Sequence, residues 1–288
     1  MNPTVYLNGE WLPLEAAKVS VLDRGFIFGD GVYEVVPVYG GHPFRLDGHL
    51  DRLDRSLAAI RLANPLPRAT WQDVLQRLVQ ENGGGDQSLY VHVTRGVARR
   101  DHGFPPADTP PTLFAMSSPL TPPPAELLAR GIAAITVEDI RWKYCHIKAI
   151  ALLPNILLRQ QALDVGAHEA ILVRDGQVTE GAASNVFVVE RGVITTPPKG
   201  ELLLPGITRD LVVELAREHG LALEEAPIEA ARLRQVDELW VTSSTKEVLP
   251  VTQLDDQPIG DGRPGPVWQN MIALYQACKA RLRSGAER

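Results

Sequence analysis

The sequence predicts an α/β (α+β) protein with two domains, and three observations support this prediction. The chain has 288 residues, which is enough for two ordinary domains with substantial cores. Predicted strands and helices intermix without the strict alternation of a βαβ protein. A proline-rich stretch over residues 103–124 ends in the tract Thr121–Pro124, a composition typical of a linker. We therefore expect an N-terminal domain over residues 1–120 and a C-terminal domain over residues 121–288.

The N-terminal part begins with two hairpin signals. Asn8-Gly9 and Gly40-Gly41 each separate apolar-rich segments, as in tight turns between antiparallel strands. Apolar residues at helical spacing follow Leu46 and predict a first helix over HLDRLDRSLAAIRL. A second helix is predicted over TWQDVLQRLVQEN with Thr70 as its N-cap, followed by a strand in SLYVHVTRGV.

The C-terminal part mixes strands and helices. Strands are predicted in IAAITVEDI, EAILVRDGQVTEG, NVFVVERGVITT and DELWVTSST. The second and third of these segments contain tight turns at Asp175-Gly176 and Arg191-Gly192. Helices are predicted from Asn155 to Gly166, after Pro205-Gly206 in PGITRDLVVELAREHG, and in WQNMIALYQACKARLR.

Composition excludes several classes of protein. A formal net charge of −6 argues against a surface that coats nucleic acid, since such surfaces need a clustered basic excess. No apolar run reaches the roughly 18–20 residues of a membrane span, and the N-terminus lacks the features of a signal peptide. Cys145 and Cys278 are too few for a disulfide framework and lack metal-ligand spacing. We expect a cytoplasmic protein without a metal site.

Lysine is rare in this chain, and one lysine is unusual. Only six of the 29 basic residues are lysines, and a lysine, unlike an arginine, can become a neutral nucleophile. Lys148 lies in the apolar run IKAIALL, where desolvation would lower its pKa. The other five have polar, Pro/Gly or charged neighbours and are predicted to be solvated. Lys148 is either a snorkelling side chain or a lysine that forms a Schiff base with a carbonyl compound.

Three further motifs could bind a phosphate group. In LLLPGITRD a helix begins after a Pro-Gly turn, and the backbone N–H groups of Ile207 and Thr208 lack partners within the helix. Hydroxyl residues including Ser244 and Thr245 follow a strand in TSST, and Arg52 lies near the start of a helix in HLDRL. Taken singly, an ordinary helix start, a plain turn and a solvated helix face are the simpler explanations of these motifs.

Two more motifs could contact a cofactor ring and a substrate. Glu180 ends a strand in VTEGAAS, where its carboxylate could face a pyridine nitrogen and keep it protonated. Arg100 and His102 lie in the basic loop RGVARRDHGFP, where they could converge on a substrate carboxylate. A strand-end glutamate in a turn and a solvated basic loop are the simpler alternatives.

These motifs occur together in an order that resembles one family. From YLNGEW and DRGFIFGDGVYEVV through HLDRL, IKAIALLPNILLRQQA, TEGAASNVF, PGITR and TSST, the chain is similar to the fold-type IV pyridoxal-phosphate enzymes. The resemblance runs nearly from end to end and, within that family, is closest to the D-amino-acid transaminases. It implies a smaller N-terminal α+β domain, a larger barrel-like α/β C-terminal domain, and the cofactor pyridoxal 5'-phosphate (PLP) at the domain interface.

The resemblance also implies a role for each candidate residue. Lys148 would form the Schiff base with PLP and later move the substrate proton, and Glu180 would pair with the pyridine nitrogen. The phosphate would be held by Arg52, by the N–H groups of Ile207 and Thr208, and by hydroxyl groups of Ser244 or Thr245. Tyr33, Arg100 and His102 would bind the α-carboxylate of the substrate, with the Arg100–His102 loop contributed by the neighbouring subunit of a homodimer.

The resemblance implies transamination with ping-pong kinetics, in which the amino group of a D-amino acid such as D-alanine or D-glutamate is transferred to a 2-oxo acid. An L-branched-chain aminotransferase or an aminodeoxychorismate lyase of the same fold is the alternative enzyme. A non-catalytic protein with a snorkelling Lys148 is the alternative from another class.

Overall fold

The computed structural model describes residues 3–286, which form two compact units. The first unit contains residues 3–121, 147–152 and 280–286, and the second contains residues 122–146 and 153–279. The chain passes from one unit to the other between Thr121 and Pro122, within the proline tract. The short segment 147–152, which carries Lys148, belongs to the first unit although it lies far beyond that point in sequence.

The first unit is built on a six-stranded antiparallel sheet with strand order β2-β1-β6-β5-β3-β4. Asn8 and Gly9 adopt positive φ angles of 50° and 98° in the first hairpin turn, as the sequence predicts. The strands are β1 (Thr4–Leu7), β2 (Glu10–Pro13), β3 (Gly31–Tyr39), β4 (His42–Pro43), β5 (Gln87–Thr94) and β6 (Thr112–Pro119).

Helices α2 (Leu46–Ala59) and α3 (Arg68–Glu81) cover one face of this sheet, and the short helix α1 (Arg24–Phe28) precedes β3. Leu53 and Leu57 of α2 and Trp71 of α3 pack with alternate residues of the strands, such as Val32 and Val36, in one buried cluster. Because side chains alternate along a strand, Tyr33 and Val35 point to the other face, which is only partly buried. The first unit therefore has one core face and one face open for other contacts.

The second unit is built on a nine-stranded mixed sheet with order β12-β11-β10-β13-β14-β7-β8-β9, and β15 pairs with β14. The strands are β7 (Ile132–Glu138), β8 (Glu169–Arg174), β9 (Gln177–Gly181), β10 (Asn185–Glu190), β11 (Val193–Thr196), β12 (Leu223–Glu225), β13 (Glu238–Ser243), β14 (Glu247–Leu254) and β15 (Gln257–Pro258).

The connection between β9 and β10 shows that this sheet curls. In the strand order β9 is five strand spacings from β10, which in a flat sheet is roughly 24 Å. Only three residues separate Gly181 from Asn185, and four extended steps span at most about 14 Å. The sheet must therefore bend round until the end of β9 approaches the start of β10. This curvature agrees with the predicted barrel-like domain.

Both faces of the curled sheet are apolar. Ile132 and Ala134 of β7 contribute to one buried cluster, while the alternate residues Ala133 and Ile135 pack against a second cluster that includes Leu158. The helices of this unit are α4 (Ala125–Arg130), α5 (Leu153–Asp164), α6 (Ile207–Glu218) and α7 (Pro266–Arg283), the last of which ends in the first unit. Within residues 3–286, no helix combines the length and apolar character needed to cross a bilayer.

Three predicted helix ends were wrong: the start of α3 and both ends of α5. Helix α3 begins at Arg68 with Pro67 as its N-cap, so Thr70 lies inside the helix. Helix α5 begins at Leu153 and ends at Asp164, two residues earlier at each end than predicted. Proline is compatible with the first turn of a helix, so Pro154 does not delay the start of α5.

The predicted exposure of two lysines was also wrong. Lys279 is 3 % exposed and pairs with Glu247 across α7 and β14. Lys246 is partly buried and pairs with the buried Glu169. In both cases a distant acidic side chain, absent from the local sequence, allows the ammonium group to leave solvent.

Candidate active site

Lys148 lies in a short extended segment beside strand β3. The Tyr33 N–H donates to the Lys148 carbonyl at 2.9 Å, and the Ile150 N–H donates to the Gly31 carbonyl at 3.1 Å. Ala149 forms an antiparallel bridge with Val32. β4 pairs only with the C-terminal end of β3, so the segment that carries Lys148 pairs with the same edge at the N-terminal end of β3. Main-chain pairing thus places Lys148 beside Tyr33.

The side chains of Lys148 and Tyr33 are in contact. The Lys148 Nζ is 4.1 Å from the centre of the Tyr33 ring, and Lys148 is partly buried. The Tyr33 ring packs at 5.8 Å from the Tyr90 ring, whose hydroxyl bonds His92 Nδ1 at 3.1 Å. Behind Lys148, the Ser56 hydroxyl accepts the Lys148 backbone N–H at 3.2 Å. The backbone of Lys148 is therefore fixed to helix α2, and its amine lies against the Tyr33 ring.

Arg52 is buried in an ion pair on the core side of β3. Its Nε and Nη2 donate to the two carboxylate oxygens of Glu34 at 2.7 and 2.8 Å, and His49 Nδ1 lies 2.9 Å from Glu34 Oε2. Burial alone would raise the pKa of Glu34, but the charge and hydrogen bonds of Arg52 lower it well below its usual range. Burial lowers the pKa of His49, so its ring is neutral at pH 7. Arg55, in contrast, is exposed.

Arg100 and His102 are exposed, and both lie close to the same aromatic ring. The Arg100 Cζ is 5.4 Å from the centre of the Phe28 ring, and the His102 ring centre is also 5.4 Å from it. In the first unit the structure thus brings Arg100 together with His102 and brings Lys148 together with Tyr33. Arg100 and His102 contact the Phe28 ring, whereas Lys148 contacts the Tyr33 ring.

In the second unit, Glu180 ends strand β9 and is 5 % exposed. Its Oε2 accepts hydrogen bonds from Asn185 Nδ2 at 3.1 Å and from the Leu204 N–H at 3.0 Å. Its Oε1 accepts a hydrogen bond from Arg141 Nη1. Burial raises the pKa of Glu180 to about 7, although Arg141 opposes this effect. The carboxyl group is therefore divided between its two protonation states near neutral pH.

Arg141 is fixed by a second buried carboxylate. Its Nε and Nη2 donate to the two oxygens of Asp139 at 2.8 and 2.9 Å, and the Thr179 hydroxyl donates to Asp139 at 2.9 Å. Burial opposes the charge of Arg141, but the Asp139 hydrogen bond and Glu180 raise the pKa of the guanidinium further. Arg141 is thus a permanent cation held against Glu180.

Helix α6 begins beside the Glu180 cluster. Its N-cap is Gly206, which offers no side-chain cap, and the first helical hydrogen bond runs from the Asp210 N–H to the Gly206 carbonyl. The N–H groups of Ile207 and Thr208 therefore have no partner within the helix. A Cβ at Gly206 would collide with the Asn185 Oδ1, so a larger residue here would displace either Asn185 or the start of α6. Asn185 therefore contacts both Glu180 and the helix N-terminus.

The hydroxyl-rich turn TSST lies next to the same asparagine. Thr242 is the sheet partner of Asn185, and the turn that carries Ser244 and Thr245 follows directly from it. Thr242 Oγ1 is buried without a hydrogen-bond partner in the described part of the chain. Ser244 is partly buried and Thr245 is exposed. Two residues that contact or pair with Asn185 thus precede the four predicted residues of the second unit: Gly206 precedes Ile207 and Thr208, and Thr242 precedes Ser244 and Thr245.

Sequence reasoning missed several residues of these clusters. Arg141, Asp139 and Asn185 surround Glu180, and Glu34 and His49 surround Arg52. One signal was available for Glu34, because it occupies a core-facing position between Val32 and Val36 in an alternating strand. Asn185 lies within the quoted TEGAASNVF motif, but nothing in that motif indicated its contacts.

The comparison with known sequences decides the family. The sequence profile of the amino-transferase class IV family matches residues 31–254. The chain belongs to the class IV aminotransferases. This confirms the resemblance to fold-type IV enzymes on which the sequence interpretation rests. The match covers every candidate residue from Tyr33 to Thr245.

Curated members of the class IV aminotransferases match nearly the whole chain. The D-alanine aminotransferase of Bacillus licheniformis is 43% identical over 272 residues, which cover 94% of this chain and 95% of that protein. The D-alanine aminotransferase of Staphylococcus haemolyticus is 38% identical over 267 residues, which cover 93% of this chain and 94% of that protein.

Solved structures of class IV aminotransferases have the same fold. The branched-chain amino acid aminotransferase of Escherichia coli matches with a TM-score of 0.90 at 28% identity, over 96% of this chain and 94% of that one. The T.th. branched-chain amino acid aminotransferase with pyridoxamine 5'-phosphate matches with a TM-score of 0.91 at 27% identity, over 98% and 95%. The predicted two-domain α/β fold is confirmed by these neighbours.

Proposed function

We propose that this aminotransferase is a PLP-dependent D-amino-acid transaminase. It moves the amino group of a D-amino acid, of the D-alanine or D-glutamate type, to a 2-oxo acid by a ping-pong mechanism. The observation that carries the proposal is the 43% identity to a D-alanine aminotransferase over 94% of the chain. The exposed residues Arg100 and His102, which both contact Phe28, supply a site of suitable chemistry for an α-carboxylate.

The described residues fit the chemistry of PLP. Its aldehyde needs a primary amine, and Lys148 offers one against an aromatic face. Its phosphate needs N–H and hydroxyl donors, and the uncapped start of α6 and the TSST turn supply both on the two sides of Asn185. Its pyridine nitrogen needs a buried acid, and Glu180 is one.

When bound, PLP supplies an aldehyde that takes the amino group and a ring that accepts the electron pair of the α-carbon. Lys148 Nζ then acts as the base that removes the α-proton and returns a proton later. Glu180 holds the proton of the ring nitrogen, and Arg141 limits how far burial raises the pKa of Glu180. Arg52, Ile207, Thr208, Ser244 and Thr245 bind the phosphate.

The substrate carboxylate is bound by Tyr33, Arg100 and His102. We propose that the Arg100–His102 loop reaches the site of the neighbouring subunit in a homodimer, because within one chain these two residues contact Phe28 while Tyr33 faces Lys148. A cytoplasmic location belongs to the same proposal. It is supported by Cys145 and Cys278, which are both free thiols.

Turnover of matched enantiomers tests the proposal. Purified holoenzyme is assayed with D- and L-alanine, D-glutamate and L-leucine, each with pyruvate or 2-oxoglutarate as acceptor as appropriate. We expect turnover of the D-amino acids and none in the Lys148→Ala variant. Borohydride treatment followed by peptide mass mapping should find the cofactor on Lys148. Turnover restricted to L-amino acids would overturn the assignment of handedness, and a label on another lysine would overturn the assignment of the amine.

An L-branched-chain aminotransferase is the second candidate. It is favoured by the solved branched-chain enzymes, which match with TM-scores of 0.90 and 0.91. Their identity is only 27–28%, well below that of the D-alanine aminotransferases. Turnover of L-leucine without turnover of D-alanine would select this candidate. Release of pyruvate from aminodeoxychorismate would instead select the lyase of the same fold.

A further inference from the structure

Arg24 is a buried arginine that lies beneath the loop carrying Arg100 and His102. It is 4 % exposed and begins the short helix α1. Its Nη1 donates to the carbonyl oxygen of Asp101 at 2.7 Å and to that of Gly103 at 3.2 Å. These two carbonyl groups flank His102 in sequence, and the first also follows Arg100. One guanidinium group thus fixes the backbone on both sides of His102.

A shared carboxylate holds Arg24 in place. Asp30 Oδ2 accepts hydrogen bonds from Arg24 Nε and from Arg95 Nε, both at 2.8 Å. Burial alone would raise the pKa of Asp30, but the hydrogen bonds from Arg95 and Arg24 lower it, so Asp30 is a carboxylate at neutral pH. Because Arg24 bonds Asp30 through one nitrogen and the loop through another, its position relative to the sheet is determined.

Arg95 holds the far end of the same loop. Its Cζ lies 3.9 Å from the centre of the Phe104 ring, and its Nη2 donates to the Ile60 carbonyl at 2.7 Å. The base of the loop is held as well, because the Arg24 N–H donates to the Gly96 carbonyl at 2.9 Å. Arg100 and His102 are therefore exposed side chains on a backbone that is anchored at its base, its middle and its far end.

We infer that Arg24 is a positioning residue for the substrate carboxylate. It sets the spacing of Arg100 and His102 through the Asp101 and Gly103 carbonyl groups, and it adds a fixed positive charge behind them. This inference rests on the proposed function, since it assigns Arg24 a role in the carboxylate site. Both the amino-acid donor and the 2-oxo-acid acceptor carry that carboxylate, so both should depend on Arg24.

The inference predicts that loss of Arg24 weakens substrate binding but leaves the maximal rate and the binding of PLP nearly unchanged. In Arg24→Gln, KM for D-alanine and for 2-oxoglutarate should each rise about 10- to 100-fold, because a small displacement of the binding groups is enough to weaken binding. The maximal rate and the Kd of PLP should change less than about threefold. Arg24→Lys retains the charge but cannot donate to Asp30 and to the loop carbonyl groups from separate nitrogens, so it should give an intermediate KM.

Binding of D-lactate to the holoenzyme provides a readout that does not depend on turnover. D-lactate carries a carboxylate but no amino group, so its Kd by calorimetry should rise in parallel with KM. The matched control is Arg77→Gln, which removes an exposed arginine from the same unit and should leave KM and Kd unchanged. Thermal unfolding establishes that each variant is folded, and Arg24→Lys serves as the test if Arg24→Gln is not.

The two proposals fail in different ways. If the wild-type enzyme turns over no D-amino acid, the proposed function is wrong. If the wild-type enzyme is active and the folded Arg24 variant has unchanged KM and D-lactate affinity, only the role of Arg24 is wrong. A fall in PLP affinity and in maximal rate as large as the rise in KM would also overturn it, because that pattern indicates a general structural defect.

Discussion

The Nη1 of Arg141 donates a hydrogen bond to Oε1 of Glu180, and both side chains are buried. Asp139 neutralises Arg141 from the other side through two hydrogen bonds at 2.8 and 2.9 Å. Arg174 Nη2 also lies 3.2 Å from Asp139 Oδ1, so the charges of these four groups balance when Glu180 is ionised. Burial is therefore the main cause of the rise of the pKa of Glu180 to about 7.

The first prediction concerns the stability of the apoenzyme with Glu180→Gln. Burial raises the pKa of Glu180 from 4.5 to about 7, so the folded state binds a proton more tightly than the unfolded state. This favours folding below about pH 4.5, and the advantage is lost as pH rises towards 7. Ionisation of Glu180 thus costs up to about 3 kcal/mol above pH 7. Glu180→Gln should stabilise the apoenzyme more at pH 8 than at pH 5.

Urea unfolding of the apoenzyme at the two pH values measures this difference. The exposed Glu126→Gln serves as the control and should have no pH-dependent effect. The same Glu180→Gln variant should lose most of its transaminase activity, because glutamine cannot hold the proton of the ring nitrogen. An equal effect on stability at pH 5 and pH 8 would contradict the prediction.

The second prediction concerns Glu34→Gln. The buried Arg52 pairs with Glu34 through two hydrogen bonds, and loss of the negative charge leaves the guanidinium uncompensated. We expect a loss of about 3–5 kcal/mol in the free energy of unfolding at pH 7. Because Arg52 lowers the pKa of Glu34, the contribution of the pair is present above pH 4.5 and is lost as pH falls further.

Denaturant titration at pH 7 and pH 4 tests the Glu34 prediction. The difference between wild type and variant should be smaller at pH 4. Glu81→Gln is the control, since Glu81 pairs with Arg77 on the surface and should contribute less than about 0.5 kcal/mol. A variant as stable as the wild type at pH 7 would show that the buried pair contributes nothing.

The third prediction concerns the proposed phosphate site at the start of helix α6. Gly206→Ala would place a methyl group against Asn185 Oδ1, closer than van der Waals contact allows, which must displace either the asparagine or the helix N-terminus. We expect the Kd of PLP to rise at least about tenfold, because the Ile207 and Thr208 N–H groups would move away from the phosphate. Fluorescence titration of the apoenzyme with PLP measures this effect. Gly200→Ala is the control, as nothing lies within 4 Å of its added Cβ.

The fourth prediction concerns the homodimer. If the Arg100–His102 loop serves the neighbouring site, a mixed dimer of Lys148→Ala and Arg100→Ala subunits contains one intact site. Each parent homodimer should be nearly inactive or have a greatly raised KM. Unfolding and refolding the two together should restore a wild-type KM with up to about one quarter of the wild-type rate, given random pairing and one intact site in each mixed dimer. Absence of any recovery in verified mixed dimers would place the loop in the site of its own subunit.

The parts of the site that are local in sequence could be predicted. Ile207 and Thr208 follow a Pro-Gly turn, so their unpaired N–H groups follow from helix geometry alone. Lys148 was identified because it is the only lysine within an apolar run. The partners of these residues could not be predicted in the same way. Arg141 and Glu180 are 39 positions apart, and Arg24 is 77 positions from Asp101.

The sequence by itself determined many of the strands and helices, the family resemblance and the short list of reactive side chains, but not strand β6 within the proline-rich stretch or the short helix α1. Periodicity and turn residues act over a few positions, so they are visible in the chain without its fold. Only the tertiary structure decided that Glu34 compensates Arg52, that Arg141 and Asn185 contact Glu180, and that Arg24 anchors the basic loop. Burial, pKa shifts and hydrogen bonds of this kind depend on which distant groups share a small space, and strand register and helix packing alone determine that arrangement.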